Sequence, residues 1–234
     1  MKKMLRRLYR TLVPEPVPLC DADTIAVLVA RLQRDSCAID IGCNRGSILR
    51  EIVRLAPDGN HFAFEPIPRL YRLLCKRFPT VDCRRIALSD VKGTVTFNHF
   101  TQMDGFSGMV RRDVGANLGR VEEIAVETER LDAIVPEGTT VTLIKIDVEG
   151  AEYRVLRGAE SLLRRCRPTV IFECGKGGLD IYGHKPEQVY DLLTDCGLSV
   201  SRLAEWSQSR EPISKQAFVE AFWGGVEYMF VAGP

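Results

Sequence analysis

The chain has 234 residues, 45% of them hydrophobic and 27% charged, a size and balance that fit one globular domain with a sizeable core, with or without a terminal extension. Its 32 basic and 31 acidic side chains leave a formal net charge of +1, which excludes the strongly basic balance expected of a chain that binds nucleic acid through its whole surface. The eight cysteines are scattered, with no C-x-x-C pair and no histidine at ligand spacing, so a reduced, cytoplasmic protein is expected rather than a disulfide framework or a zinc site.

The start, "MKKMLRRLYRTLVP", is basic first and only briefly apolar, and lacks the apolar core of a secretory signal. Lys2, Lys3, Arg6, Arg7 and Arg10 beside Met4, Leu5, Leu8 and Leu12 would suit a terminal helix docked on its own domain, or peripheral contact of residues 1–13 with an anionic membrane. No stretch approaches the roughly 20 apolar residues of a membrane span. After the Pro-rich break "VPEPVP", "DADTIAVLVARLQRD" has helical spacing. Residues 1–35 are therefore read as a basic segment with a leading helix, and residues 36–234 as one domain.

Within that domain short apolar runs alternate with helical patterns. The strand "CAIDIG" is followed by a helix from about Ser47, "HFAFE" by a helix from about Pro68, and then comes "DCRRIAL". Such alternation predicts an α/β fold, a mostly parallel sheet covered by helices on both faces. Two β-like runs, "GTVTFNHF" and "EEIAVETERL", flank a Gly-rich polar stretch and predict a β excursion with a loop suited to substrate contacts. The pattern resumes with "VTLIKID", one helix over "AEYRVLRGAESLLRR", the strand "PTVIFEC", a helix near "PEQVYDLLTDCG" and a last strand "VEYMFVAG".

Two places in this pattern point to a nucleoside. "IDIGCNRGS" leaves a strand at Asp40 and enters a helix, and in open α/β sheets ligands bind at such strand ends. Gly42 and Gly46 permit close backbone approach, and Asn44 tolerates a positive φ. About 20 residues on, "FAFEP" sets Glu65 at the next strand end, where an acid accepts the two hydroxyls of an adenosine ribose. A nicotinamide dinucleotide and S-adenosylmethionine both use this geometry. Here Cys43 and Asn44 replace the second glycine of the dinucleotide fingerprint, and Asp40 would repel a pyrophosphate but attract an ammonium and a sulfonium. The methyl donor is favoured. A nicotinamide-dependent oxidoreductase, or a noncatalytic subunit with the same fold, are the alternatives.

In the order and spacing of "DIGCNRG", "FAFEPIP", "IALSDVKGTVTF", "LIKIDVEGAEYRVLRGA" and "VIFEC", the chain resembles the FkbM-type S-adenosylmethionine-dependent methyltransferases. The resemblance is close over about residues 36–175 and looser beyond. It implies a class I methyltransferase fold with a Rossmann-like sheet of seven strands, the last antiparallel. It also implies methyl transfer to a hydroxyl of a sugar, a glycan or a polyketide-type natural product. Carried over by position, Asp40, Gly42, Asn44 and Gly46 would hold the methionine part, with Cys43 beside them where the family usually has Ala. Glu65, with Pro66 next to it, would hold the ribose, and Leu88, Ser89 and Asp90 would meet the adenine edge.

The run "TLIKIDVEGAE" ends in three carboxylates, Asp147, Glu149 and Glu152. Lys145 and Asp147 share one face of their strand by alternation, and Asp147 is expected to face the methyl group and the acceptor. Glu152 suits the start of a helix. An alcohol acceptor must lose a proton to a base, or to a metal that lowers its pKa. Asp147 and Glu149, with Glu173 as a further carboxylate, fit either route, so a divalent metal is an open expectation. His184 and His99 lie in acceptor-side segments and are candidate bases, while His61 reads as structural.

Overall fold

The computed structural model describes residues 19–111, 120–206, 211–225 and 227–234. The basic start, residues 1–13, lies outside them, and with it the expected membrane contact. Among the described residues no helix is long and apolar enough to cross a membrane.

Three parallel strands, β1 (Cys37–Ile41), β2 (Phe62–Phe64) and β3 (Asp82–Arg84), make one half of the central sheet. The other half holds β7 (Val141–Ile146), β8 (Thr169–Glu173), β9 (Ser199–Arg202) and β10 (Met229–Gly233). The spatial order is β3-β2-β1-β7-β8-β10-β9. β7 runs parallel to both β1 and β8, and β10 is antiparallel to both neighbours. The order therefore reverses between β1 and β7, the place where such a sheet opens a crevice at its carboxyl edge.

Period-two alternation sorts the strands' side chains to two faces. Ile39, Ile41, Ile144 and Ile146 pack with Phe172 and Phe230 under the helices Glu152–Gly158, Glu160–Cys166, Pro186–Asp195 and Lys215–Gly224. Ala38, Leu143, Ile171 and Val231 pack on the other side with Val27, Leu28, Ile48 and Ile52. The leading helix, Leu19–Arg31, thus contributes to the domain's own core. All five β1 residues are buried, which is why it reads as a continuous apolar run broken only by Asp40.

A smaller sheet, β4 (Ala87–Leu88), β6 (Val121–Glu129) and β5 (Gly93–Phe100), stands beside the first. It is the excursion expected from sequence. Three details differ from the expected elements. "DCRRIAL" divides into β3 and β4, which belong to different sheets. "AEYRVLRGAESLLRR" is two helices, parted at Ala159. Gly158 closes the first against the Ser89 carbonyl, where a Cβ would come within 2.1 Å. The strand β9 and the helix Lys215–Gly224 had no expected counterpart. β9 is four residues with two serines, too short and polar for a strong alternation signal.

Candidate active site

At the carboxyl edge, where β1, β2 and β7 end, a cavity of about 500 Å3 opens. One wall is the turn after β1. Gly42, Asn44 and Gly46 all have positive φ, at 77°, 49° and 76°. A Cβ on Gly42 would stand 1.9 Å from the Asp147 carbonyl oxygen, so the turn and the segment after β7 meet backbone to backbone. Glu65 braces the turn from β2. Its Oε2 accepts from the Asn44 N–H and its Oε1 from the Ile67 N–H, each at 2.9 Å. Burial pushes the Glu65 carboxyl up to about 7, against the pull of those two bonds.

Asp40 and Lys145 face each other across the β1–β7 register. The Lys145 ammonium lies 3.8 Å from Asp40 Oδ1 and 3.2 Å from Asp147 Oδ2, and donates to the Gly42 carbonyl at 3.3 Å. Burial alone would lower the lysine, but Asp147 and Asp40 outweigh it and hold it charged. Asp40 is itself raised by burial, with Lys145 opposing. Neither of its oxygens has a hydrogen-bond partner of normal geometry among the described residues. This buried carboxylate is therefore left with acceptor capacity facing the cavity.

The acidic edge lies opposite. Asp147, Glu149 and Glu173 line the cavity, and each offers one carboxylate oxygen within 4.8 Å of the others. Burial first, and then Asp147, Glu152 and Glu149, push Glu173 up to about 10, so these close carboxyls resist carrying their full negative charge together. All-oxygen donors of this kind suit magnesium, manganese or calcium. Glu149 adopts φ 60°, a conformation uncommon outside glycine. Glu152 fixes that turn from below, because its Oε1 accepts from the N–H groups of Val148 and Gly150 at 3.1 Å each.

The excursion supplies the roof. Asp104, Gly105, Ser107 and Met109 line the cavity. Arg69 Nη2 donates to both Asp104 oxygens at 2.7 Å, Arg45 approaches at 3.4 Å, and His99 Nε2 lies at 3.1 Å. Asp104 thus joins the roof to the glycine turn and to the helix after β2.

Of the residues singled out from sequence, Asp40, Gly42, Cys43, Asn44, Glu65, Pro66, Leu88, Asp147 and Glu149 line this one cavity. Gly46 stands behind it, its Cβ position filled by Leu74 and Phe78. Ser89, Asp90 and His184 are not in the lining. The Ser89 hydroxyl donates to Asp90 at 3.1 Å, and the His184 ring packs 4.7 Å from Tyr153. Burial and then Arg154 lower His184. His61 is buried between the Ala38 N–H and the Ala56 carbonyl, a structural role. Sequence reasoning missed the roof anchor Asp104, whose partners come from two other segments, and the charge-balancing place of Lys145. The lysine's signal was a charge at even spacing inside an apolar run.

The Methyltransferase FkbM domain model matches residues 40–200. The chain is 33% identical over 158 residues to the 2-O-methyltransferase NoeI of Sinorhizobium fredii, a match covering 60% of this chain and 64% of that protein. It is 27% identical over 185 residues to the hexuronic acid methyltransferase AglP of Haloferax volcanii, covering 76% of this chain and 70% of the relative. Among solved structures, a methyltransferase FkbM from Methylobacillus flagellatus superposes with a TM-score of 0.52 at 12% identity, over 86% of this chain and 44% of the other. That likeness supports the class I fold, with its antiparallel strand near the end of the chain. With the family model spanning the glycine turn, Glu65, the excursion and the acidic edge alike, the chain belongs to the FkbM methyltransferase family.

Proposed function

We propose that the chain transfers a methyl group from S-adenosylmethionine to a hydroxyl oxygen of a sugar, a glycan or a polyketide-type small molecule. The observation that carries this reading is the single cavity joining Asp40, Glu65 and the glycine turn to the carboxylates Asp147, Glu149 and Glu173. The relatives named as a 2-O-methyltransferase and a hexuronic acid methyltransferase favour the sugar end of that range. Membership of the family sets the oxidoreductase alternative aside, and turnover of bound cofactor separates an enzyme from a noncatalytic subunit.

The residues fit the donor. Asp40, buried and short of hydrogen bonds, would accept the amino-acid ammonium, and Lys145 beside it complements a carboxylate. Glu65 keeps lone pairs beyond its two backbone bonds for ribose hydroxyls. Cys43, Pro66 and Leu88 would wall the cofactor, with Ser89 and Asp90 supporting the adenine edge. S-adenosylmethionine supplies a methyl group on a sulfonium, a good leaving group, so much of the acceleration comes from alignment. What the chain must add is a place for the hydroxyl proton, and Asp147 and Glu149 are the proposed acceptors for it. With Glu173 they would alternatively hold a divalent cation that acidifies the hydroxyl.

Asp147→Asn keeps the shape and removes the basicity, and should lower turnover by about 100-fold or more. If Asp147→Asn and Glu149→Gln both keep full turnover, the carboxylate hypothesis fails and the histidines His99 and His184 inherit the role. A chelator in the same assay abolishes activity only by the metal route. For residues 1–13 the reading is peripheral contact with an anionic membrane from the cytoplasmic side. Removing them should lower sedimentation with anionic vesicles at low salt, and no sedimentation of the intact chain would refute it.

A further inference from the structure

Beside the acidic edge, past the end of β8, a second hollow of about 220 Å3 is bounded by Gly175, Lys176, Glu227 and Tyr228. It shares Glu173 and Tyr228 with the main cavity. Tyr228, which lines the hollow, is 47% exposed, and Trp223, which stands outside the lining beside Lys176, is 50% exposed. Lys176, itself exposed, holds its ammonium 5.9 Å from the Trp223 ring centre. Two exposed aromatic rings grouped at the rim of a polar hollow are the kind of local apolar patch that marks a ligand-binding surface.

We propose that this hollow is the acceptor subsite, and that it takes a pyranose ring bearing an anionic substituent, a carboxylate or a phosphate. The proposal rests on the methyltransferase reading and adds the acceptor's class to it. A pyranose has a face of C–H bonds that packs on an aromatic ring and a rim of hydroxyls that needs polar partners, and Tyr228 in the lining offers the former, with Trp223 extending it past Lys176 at the rim. The charges select the substituent. Glu227 is already paired with Arg202 at 2.5 Å, whereas Lys176 makes no ion pair with a described residue. A cation at the outer rim whose described contact is the Trp223 ring rather than a carboxylate would draw an anionic group outward and turn the ring's hydroxyls toward Asp147 and Glu149.

The test is saturation-transfer NMR on the full chain with S-adenosylhomocysteine, using methyl glucuronide, glucose 1-phosphate and uncharged methyl glucoside as probes. The two anionic probes should bind more tightly than the neutral one, and the difference between them tells carboxylate from phosphate. Lys176→Ala should weaken the anionic probes by about fivefold and bring them level with the glucoside. Trp223→Ala should weaken all three by about tenfold. Neither residue lines the main cavity, so both variants should keep the wild-type affinity for S-adenosylhomocysteine, which also reports that they are folded. Cofactor binding with no probe bound, or with binding unchanged in both variants, overturns the subsite alone. Failure of S-adenosylhomocysteine to bind the unmodified chain removes the methyltransferase reading and the subsite with it.

Discussion

Glu65 shows how much a single side chain can carry. It holds the glycine turn through the Asn44 N–H and the next helix through the Ile67 N–H, and it faces the cavity. Glu65→Ala should therefore weaken S-adenosylhomocysteine by about 10 to 100-fold, the range set by losing charge-assisted hydrogen bonds. Calorimetry on a variant shown to be folded measures this, and unchanged affinity takes Glu65 out of the site. The residue was legible in the sequence because an acid ending a short apolar run, about 20 residues after a glycine turn, is a local pattern. Asp104 was not, because nothing near it in the chain shows that Arg45 and Arg69 converge on it. Glu152 was legible only as one of two things, and its bonds to Val148 and Gly150 give it the structural one.

At the scale of elements, legibility followed the strength of the local period. The buried parallel strands β1, β7 and β8 announce themselves as apolar runs, whereas the short polar β9 does not. The division of one expected helix at Ala159 came from packing against the Ser89 turn, a tertiary demand that propensity does not record. The sequence shows the excursion as two strands and a loop, but its function as a roof depends on the Asp104 clasp. Burial would raise Asp104, yet Arg69 and His99 outweigh it and hold the carboxyl below its usual range. The arginine heads are half exposed, so the clasp is a modest interaction and its loss should leave the fold intact. Asp104→Ala should speed dissociation of S-adenosylhomocysteine by about five- to tenfold. Surface plasmon resonance reads that rate, and an unchanged value would show that the roof is held by its packing alone.

The whole molecule carries an electrostatic debt at its functional edge, which should be visible in its stability. Glu65 and Glu152 are pushed up to about 7 and Glu173 to about 10, each by burial first. A carboxyl whose folded pKa lies above its unfolded value stabilises the fold most fully below about 4.5, and that contribution is lost as pH rises through the folded pKa. His61 and His184 are lowered by burial, so they act oppositely, but their effect is complete above about 6.5. Between pH 7 and 8 the histidines are therefore nearly silent, the thiols of Cys37, Cys43, Cys83, Cys174 and Cys196, pushed up by burial first, have barely begun to ionise in the unfolded chain, Glu65 and Glu152 are finishing, and Glu173 is still protonated in the fold and ionised in the unfolded chain. The melting temperature should fall across this window by about 3 to 5 °C per pH unit. Glu173→Gln removes the titrating proton while keeping the side chain's size, and should leave a shallower slope set by Glu65, Glu152 and the raised thiols. Calorimetric melting of both proteins in the same buffers makes the comparison. Equal slopes for the two would mean that Glu173 is ionised in the folded protein, and that the acidic edge already carries its full charge before any cofactor, cation or acceptor arrives.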